Sequence, residues 1–140
     1  MQQNTRSIAI LGSTGSIGTQ AIDVIREQKD RFTVEVLTSN NNVDLLIQQA
    51  KEFKPNAVVI GETRHYEKLR DALTGEPVKV FAGTDALEQV VQMDGIDMVL
   101  TALVGYAGLR PTLAAIRAGK HIALANKETL VVAGELVTRL

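Results

Sequence analysis

Residues 7–18 read SIAILGSTGSIG, a short apolar run that stops at Gly12 and passes into a glycine-rich turn. From Ile17 onward the apolar residues recur at helical spacing, so this stretch predicts a strand, a turn and a helix. The glycines follow the spacing G-x-x-G-x-x-G, which Gly15 and Gly18 complete. Glycine lets a backbone approach an anion closely, and the free N–H groups of a first helical turn favour negative charge. The stretch therefore predicts an anion-binding βα unit.

Hydroxyl side chains lie between these glycines at Ser13, Thr14 and Ser16 and add hydrogen-bond donors to the turn. A competing interpretation is a plain strand-to-helix loop in which glycine serves only to turn the chain. The position of the motif in the first βα unit favours a dinucleotide-binding turn, because such domains hold the pyrophosphate at that place.

The rest of the chain alternates between predicted strands and predicted helices. Strands are predicted at 7–11, 32–38, 57–60, 78–81, 96–100 and 120–124. Helices are predicted from Ile17, from Val43 to a stop at Lys54 and Pro55, from a cap at Thr63, from a cap at Thr84 or Asp85 through Met93, from the turn containing Pro111 to Ala118, and from Leu130. Roughly six alternating βα units are typical of an α/β domain with a doubly wound parallel sheet, the Rossmann type.

The composition limits the class of protein and of partner. A chain of 140 residues that is 45% hydrophobic has the size and apolar content of a single domain. Its net charge of -1 supplies no field that would attract nucleic acid or an anionic membrane. It contains no cysteine, which excludes disulfides and thiolate metal sites and fits the reducing cytoplasm. We therefore expect a cytoplasmic protein whose ligands are small molecules.

The last predicted helix is still periodic where the sequence stops. Neither a cap nor a polar tail follows its apolar residues, which are Leu130, Val131, Ala133, Leu136 and Val137. We therefore expect residues 1–140 to be one domain of a larger protein.

The segment after the second strand bears on the choice of dinucleotide. A domain specific for NAD usually places Asp or Glu about twenty residues past the last glycine, where it holds the ribose 2′-hydroxyl. Here the sequence has Thr38, Ser39, Asn40, Asn41 and Asn42, which are neutral donors that suit a 2′-phosphate. The segment therefore predicts NADPH. A simpler interpretation is a polar turn in which Asn42 caps the next helix, and the two roles are compatible.

Two further polar segments follow the fifth and sixth predicted strands, at residues 101–111 and 124–129. Open α/β sheets bind their ligands at these carboxyl strand ends. Asn126 offers an amide, Lys127 a cation and Glu128 a carboxylate. These groups suit a nicotinamide ribose and an anionic or hydroxylated substrate. The competing interpretation is a helix cap followed by a solvated charge pair.

Three stretches, GSTGSIG, VGYAGLRPTLAAIRAGK and LANKETLV, together resemble the 1-deoxy-D-xylulose 5-phosphate reductoisomerase family. The resemblance covers essentially the whole sequence. It implies the N-terminal NADPH-binding domain of an enzyme whose catalytic and C-terminal domains lie outside these residues. Such an oxidoreductase rearranges and reduces 1-deoxy-D-xylulose 5-phosphate to 2-C-methyl-D-erythritol 4-phosphate in isoprenoid precursor biosynthesis, with NADPH and Mg²⁺ or Mn²⁺.

The resemblance also implies roles for individual residues. The cofactor diphosphate would contact Thr14, Gly15, Ser16 and Ile17. The adenosine 2′-phosphate would lie among Ser39, Asn40, Asn41 and Asn42. The nicotinamide half would lie along Ala102, Asn126 and Glu128, and Lys127 would bind the sugar phosphate. The family often has Gly-Lys-Asn where this chain has three asparagines. The lysine is missing here, and its absence bears on how strongly the chain prefers NADPH over NADH.

The resemblance assigns no catalytic residue and no metal ligand to this chain, because the family's acidic ligands lie further along. We therefore expect these residues alone to be inactive, and the intact enzyme to be a homodimer. Two alternatives remain. One is the cofactor domain of a homoserine-dehydrogenase-like or aspartate-semialdehyde-dehydrogenase-like oxidoreductase, against which Glu128 and the AGLRPTLAAIRAGK segment argue. The other is a non-catalytic NADPH-binding module.

Overall fold

The structure is a computed structural model, and it describes residues 5–103 and 108–124. The strands are β1 (Arg6–Leu11), β2 (Phe32–Ser39), β3 (Ala57–Ile60), β4 (Lys79–Ala82), β5 (Met98–Thr101) and β6 (His121–Leu124). The α-helices are α1 (Ser16–Glu27), α2 (Val43–Phe53), α3 (Tyr66–Ala72), α4 (Thr84–Val90) and α5 (Leu109–Arg117). A 3-10 turn at Thr63–His65 precedes α3. Within these residues the chain alternates between strands and helices as the sequence predicts.

The strands form one parallel sheet in the order β4-β3-β2-β1-β5-β6. From β1 to β4 each strand pairs with the previous one, toward one edge of the sheet. The chain then crosses back, and β5 pairs with the other side of β1. The carboxyl ends of β1 and β5 therefore form the switch point at which open α/β sheets bind ligands. The predicted α/β fold with a doubly wound sheet is confirmed.

Successive side chains of a strand point to opposite faces of the sheet, and helices cover both of these faces. Ile8 and Ile10 face the layer that contains α1, α2 and α3. Ala9 and Leu11 face the layer that contains α4 and α5. All four side chains are fully buried, so β1 lies at the centre of the molecule. The glycine-rich turn that leaves β1 is thus anchored in the most buried part of the sheet.

Some predicted boundaries are wrong. Helix α4 begins after Gly83, whose φ of +98° favours glycine, and neither Thr84 nor Asp85 acts as its cap. It ends at Val90 rather than at Met93. Thr63 starts a 3-10 turn rather than α3. By contrast, α2 ends as predicted, with Lys54 in the left-handed conformation at φ 49°.

The helix predicted from Leu130 lies outside the described residues. None of the helices in residues 5–103 and 108–124 has the length and apolar character needed to cross a membrane.

Candidate dinucleotide-binding site

Two of the three motif glycines are required, Gly12 by its backbone conformation and Gly18 by packing. Gly12 has a φ of +82°, and a Cβ there would lie 2.7 Å from Cδ2 of Leu103. A Cβ on Gly18 would lie 1.9 Å from the carbonyl oxygen of Gly12, which is backbone and cannot swing away. Gly12 therefore makes the turn at the end of β1, and Gly18 lets α1 pack directly against that turn.

Gly15 is different. Its φ of -75° suits any residue, and the nearest atom to a Cβ built there is the Gly12 carbonyl oxygen at 4.0 Å. Among the described residues, nothing fills the space beside it. Packing among the described residues thus does not require glycine at this position, and the open face would admit the close approach of a ligand.

The N-terminus of α1 is open to an anion. Gly15 is the N-cap residue and makes no side-chain cap, and the first helical turn contains no acidic residue. The first helical hydrogen bond runs from the Thr19 N–H to the Gly15 carbonyl at 2.8 Å. The N–H groups of Ser16, Ile17 and Gly18 find no acceptor in the described part of the chain. Free N–H groups and the helix dipole together favour a negatively charged ligand.

A buried polar cluster holds the inner side of the turn. Gly12 donates its N–H to Thr38 Oγ1 at 2.9 Å, and Ser13 donates its N–H to the Thr38 carbonyl at 2.8 Å. The Ser13 hydroxyl donates to Gln49 Oε1 at 2.6 Å, and Gln49 Nε2 donates to the Ser13 carbonyl at 2.9 Å. Ser13 is 0% exposed. The Ser13 hydroxyl, one of the three donors predicted in the turn, is therefore used within the protein, because it is buried and bonded to Gln49.

The outer side of the turn contacts the segment that follows β2. The hydroxyls of Thr14 and Ser39 are hydrogen-bonded at 2.6 Å. Ser39 is 4% exposed, and its Oγ also accepts the N–H of Asn42 at 3.2 Å. A hydrogen bond between the Thr14 and Ser39 side chains thus joins the predicted diphosphate segment to the predicted 2′-phosphate segment. The Ser39 side chain itself is buried.

The three asparagines immediately precede α2, with Asn42 as its N-cap residue. Asn42 accepts the Leu45 N–H on Oδ1 at 3.2 Å, which confirms its predicted role as a cap. Asn40 and Asn41 are exposed. The Asn40 carbonyl accepts the N–H of Glu62 at 2.8 Å, so the loop after β3 supports this segment. The asparagine segment lies at the carboxyl edge of the sheet, and Ser39 links it to the glycine-rich turn.

Ala102 lies at the end of β5, on the other side of the turn. Its N–H donates to the Leu11 carbonyl at 2.8 Å, and the next residue, Leu103, contacts Gly12. Ala102 therefore lies at the switch point, close to the predicted diphosphate site. The remaining predicted residues, Asn126, Lys127 and Glu128, lie outside the described residues.

A separate surface cleft of about 290 Å³ lies at the amino end of β2, away from the turn. It is lined in part by Arg26, Glu52 and Phe53. Arg26 donates two hydrogen bonds to Glu52, at 2.6 and 2.8 Å, and thereby lowers the pKa of that carboxyl. This ion pair ties α1 to α2. Residues 5–103 and 108–124 contain no group of three His, Asp or Glu side chains that could hold a metal ion.

The sequence matches a family model described as 1-deoxy-D-xylulose 5-phosphate reductoisomerase over residues 8–134. The chain belongs to this family. The match includes the glycine-rich turn, the asparagine segment and all six strands except the first residues of β1. It also favours the family over the dehydrogenase-like alternatives that the sequence left open.

Relatives with the name 1-deoxy-D-xylulose 5-phosphate reductoisomerase include proteins of Phocaeicola vulgatus, which is 62% identical over 135 residues, and Bacteroides fragilis, which is 63% identical over the same length. Each alignment covers 96% of this chain and 35% of the relative. The chain therefore spans about a third of the length of these reductoisomerases.

Solved reductoisomerases share the fold. The Zymomonas mobilis enzyme in complex with NADPH is 44% identical, with a TM-score of 0.82 over 99% of this chain and 36% of its own. A reductoisomerase in complex with NADPH, fosmidomycin and magnesium is 40% identical, with a TM-score of 0.82 over 96% of this chain and 33% of its own. The arrangement of β1, the turn and α1 thus belongs to a fold that these reductoisomerases share.

Sequence reasoning missed Gln49 as a part of the site. It assigned Thr38 to the 2′-phosphate, whereas the Thr38 side chain is buried and its Oγ1 accepts the Gly12 N–H. One feature of the sequence does point to Gln49. It is a polar residue on the apolar side of α2, beside the buried residues Leu46 and Ala50. A buried amide must find partners, so such a position points to a polar contact across the core. The sequence gives no indication of which residue supplies that contact.

Proposed function

We propose that this chain binds NADPH as the nucleotide-binding domain of a 1-deoxy-D-xylulose 5-phosphate reductoisomerase. The observation that carries the proposal is the open N-terminus of α1 beside Gly15, which lies at the switch point of the sheet. An uncapped helix start with no acidic residue and an unfilled glycine face suits a diphosphate. Solved relatives of the same fold are described as NADPH complexes.

The diphosphate is held by Thr14, Gly15, Ser16 and Ile17. Backbone N–H groups supply most of the hydrogen bonds, since those of Ser16 and Ile17 have no acceptor among the described residues. The Thr14 hydroxyl is bonded to Ser39 and thereby fixes the distance between the diphosphate and adenosine ends of the site. The turn acts by binding and orienting the cofactor.

The adenosine 2′-phosphate is held by Asn40, Asn41 and Asn42. Ser39 supports this segment from the protein side, because its Oγ accepts the Asn42 N–H. No acidic residue occurs in residues 39–42, so nothing in this segment repels a phosphate. Asn42 uses its oxygen to cap α2, which leaves its NH₂ group as a donor. Neutral donors bind the phosphate without an ion pair, and we expect a moderate preference for NADPH over NADH.

The nicotinamide half lies along Ala102, Asn126 and Glu128, and Lys127 binds the sugar phosphate. The position of Ala102 at the switch point supports the first of these assignments. The other three rest on the family resemblance. NADPH, when bound, supplies the hydride for the reduction, and the described residues serve to hold it in place.

The whole enzyme converts 1-deoxy-D-xylulose 5-phosphate to 2-C-methyl-D-erythritol 4-phosphate in isoprenoid precursor biosynthesis. We propose that it requires Mg²⁺ or Mn²⁺, as a magnesium complex of a relative suggests, and that its metal ligands lie outside residues 1–140. We also propose a cytoplasmic homodimer in which residues 1–140 form one domain beside the catalytic and C-terminal domains. This domain alone is expected to be inactive.

Titration calorimetry of the 140-residue chain with NADPH and with NADH tests the proposal. We expect saturable binding of both nucleotides, with NADPH the tighter. Binding of neither by a chain that is shown to be folded would contradict the proposal. Equal affinities would remove the assignment of the asparagine segment to the 2′-phosphate. For the whole enzyme, the corresponding test is loss of NADPH absorbance with deoxyxylulose phosphate and magnesium, and binding without turnover there would favour a non-catalytic module.

A further inference from the structure

Gln49 is a buried polar residue of α2 that reaches the glycine-rich turn. It is 4% exposed, and both ends of its amide are used. Its Oε1 accepts from the Ser13 hydroxyl at 2.6 Å, and its Nε2 donates to the Ser13 carbonyl at 2.9 Å. Gln49 therefore holds one residue of the turn by two hydrogen bonds across the core.

The bond to the Ser13 carbonyl determines the direction of the next N–H group. A trans peptide is planar, so its C=O and N–H bonds point in opposite directions. The Ser13 carbonyl points toward Gln49, into the protein, and the Thr14 N–H of the same peptide consequently points away from α2. This N–H has no acceptor among the described residues.

We propose that Gln49 is a positioning residue for the cofactor diphosphate. By holding the Ser13 carbonyl inward it aims the Thr14 N–H at the side of the turn on which Gly15 is open. The inference rests on the proposed function, because it assumes that a diphosphate binds on that side. Gln49 itself is buried beneath the turn and does not contact the ligand.

Glutamine fits this role because its amide donates and accepts at the same time. Methionine has nearly the same length and packs in apolar surroundings, but it can do neither. Without Gln49 the buried Ser13 carbonyl has no hydrogen-bond donor. Rotation of the Ser13–Thr14 peptide toward another donor then becomes favourable, because an unsatisfied buried carbonyl is costly. The neighbouring Gln48 has the same side chain on the exposed side of α2 and provides a matched control.

The test compares Gln49→Met with Gln48→Met in the 140-residue chain. We expect Gln49→Met to weaken NADPH binding about tenfold, the cost of misplacing one hydrogen bond to a charged group. Adenosine 2′-monophosphate lacks the 5′-phosphates and reports only on the asparagine segment, so its affinity should stay the same. In ¹H–¹⁵N spectra the Thr14 amide of the wild type should shift when NADPH is added, and this shift should be absent in Gln49→Met. Gln48→Met should match the wild type in each measurement.

The outcomes separate the two proposals. If the folded wild-type chain does not bind NADPH, the proposed function fails before Gln49 is considered. If the wild type binds and Gln49→Met keeps both its NADPH affinity and the Thr14 shift, the positioning role is refuted. An equal loss of affinity for NADPH and adenosine 2′-monophosphate also refutes it, because that result indicates general loosening of α2.

A milder variant covers the case in which Gln49→Met does not fold. Ser13→Ala removes the hydroxyl that anchors Gln49 Oε1 and leaves the bond from Nε2 to the Ser13 carbonyl. We expect NADPH binding to weaken by about threefold, which is within the range of one neutral hydrogen bond, while adenosine 2′-monophosphate is unaffected. Equal weakening of both ligands, or of neither, would overturn the inference.

Discussion

The inner and outer sides of the glycine-rich turn, although built from adjacent residues, have opposite character. On the inner side, Gly12 and Gly18 leave no space for a side chain, and polar groups of Gly12 and Ser13 are bonded to Thr38 and Gln49. On the outer side, the space beside Gly15 is open, and the first N–H groups of α1 have no acceptor among the described residues. The motif is therefore half scaffold and half binding surface, and substitutions on the two sides should affect different measurements.

The largest effect is expected on the inner side, for Gly18→Ala. In an exposed helix this change would stabilise the protein by about 1 kcal/mol, because alanine is the better helix former. Here the new methyl group would lie 1.9 Å from the Gly12 carbonyl oxygen, so α1 must move away from the turn. We expect a loss of about 3 kcal/mol in the free energy of unfolding, which is at the upper end for overpacking. Urea denaturation followed by circular dichroism measures it.

Gly95→Ala is the matched control, because a Cβ at that position comes no closer than 3.9 Å to Glu35 Oε2. Its free energy of unfolding should differ from that of the wild type by less than about 1 kcal/mol, as for an ordinary surface change. Wild-type stability in Gly18→Ala would show that α1 moves freely relative to the turn, and the distinction between the two sides would be lost.

The next effect is expected on the outer side, for Gly15→Val. The backbone of Gly15 is extended, and the nearest atom is 4.0 Å from the new Cβ, so the folded chain accommodates valine. Stability should fall by about 1 kcal/mol, because valine is a poorer N-cap residue than glycine, and this is well below the loss expected for Gly18→Ala. NADPH affinity should fall about 30-fold, because the side chain occupies the approach to the N–H groups that bind the diphosphate.

Calorimetric titration and urea denaturation of the same Gly15→Val sample separate the two effects. Gly15→Ala provides a graded control, with a smaller loss of affinity at similar stability. A chain that is destabilised by Gly15→Val and still binds NADPH as the wild type does would reverse the assignment of this glycine.

The difference between the two sides also shows what sequence could predict. The strand, turn and helix around Gly12 followed from local periodicity, and the sheet followed from the repetition of such units. The end of α4 could not be predicted in this way, because Val91 and Ile96, which follow the helix, are also buried. An apolar pattern that continues through a packed loop resembles a longer helix, and the pattern alone cannot distinguish them.

The roles of the hydroxyl groups were harder to predict for a related reason. Ser13 and Thr14 are equivalent in sequence, since each is a short hydroxyl residue between glycines. Their roles differ because Gln49, far along the chain, takes the Ser13 hydroxyl, whereas Ser39 takes that of Thr14. Contacts across the sheet decide which donor is buried, and the local sequence contains no information about them.

The smallest effect is expected for Asn41→Asp, at the adenosine end of the outer side. Asn41 is exposed, so stability should remain within about 0.5 kcal/mol of the wild type. A carboxylate beside the 2′-phosphate should weaken NADPH binding about tenfold through charge repulsion at short distance. NADH binding should not weaken, because a carboxylate accepts a hydrogen bond from the 2′-hydroxyl of NADH. Gln48→Glu adds the same charge farther along α2 and should leave the ratio of the two affinities near that of the wild type. Because repulsion between charges is screened by salt, the loss in Asn41→Asp should shrink as ionic strength rises. A loss that affects NADPH and NADH equally would place the 2′-phosphate elsewhere and restrict the outer binding surface to the turn itself.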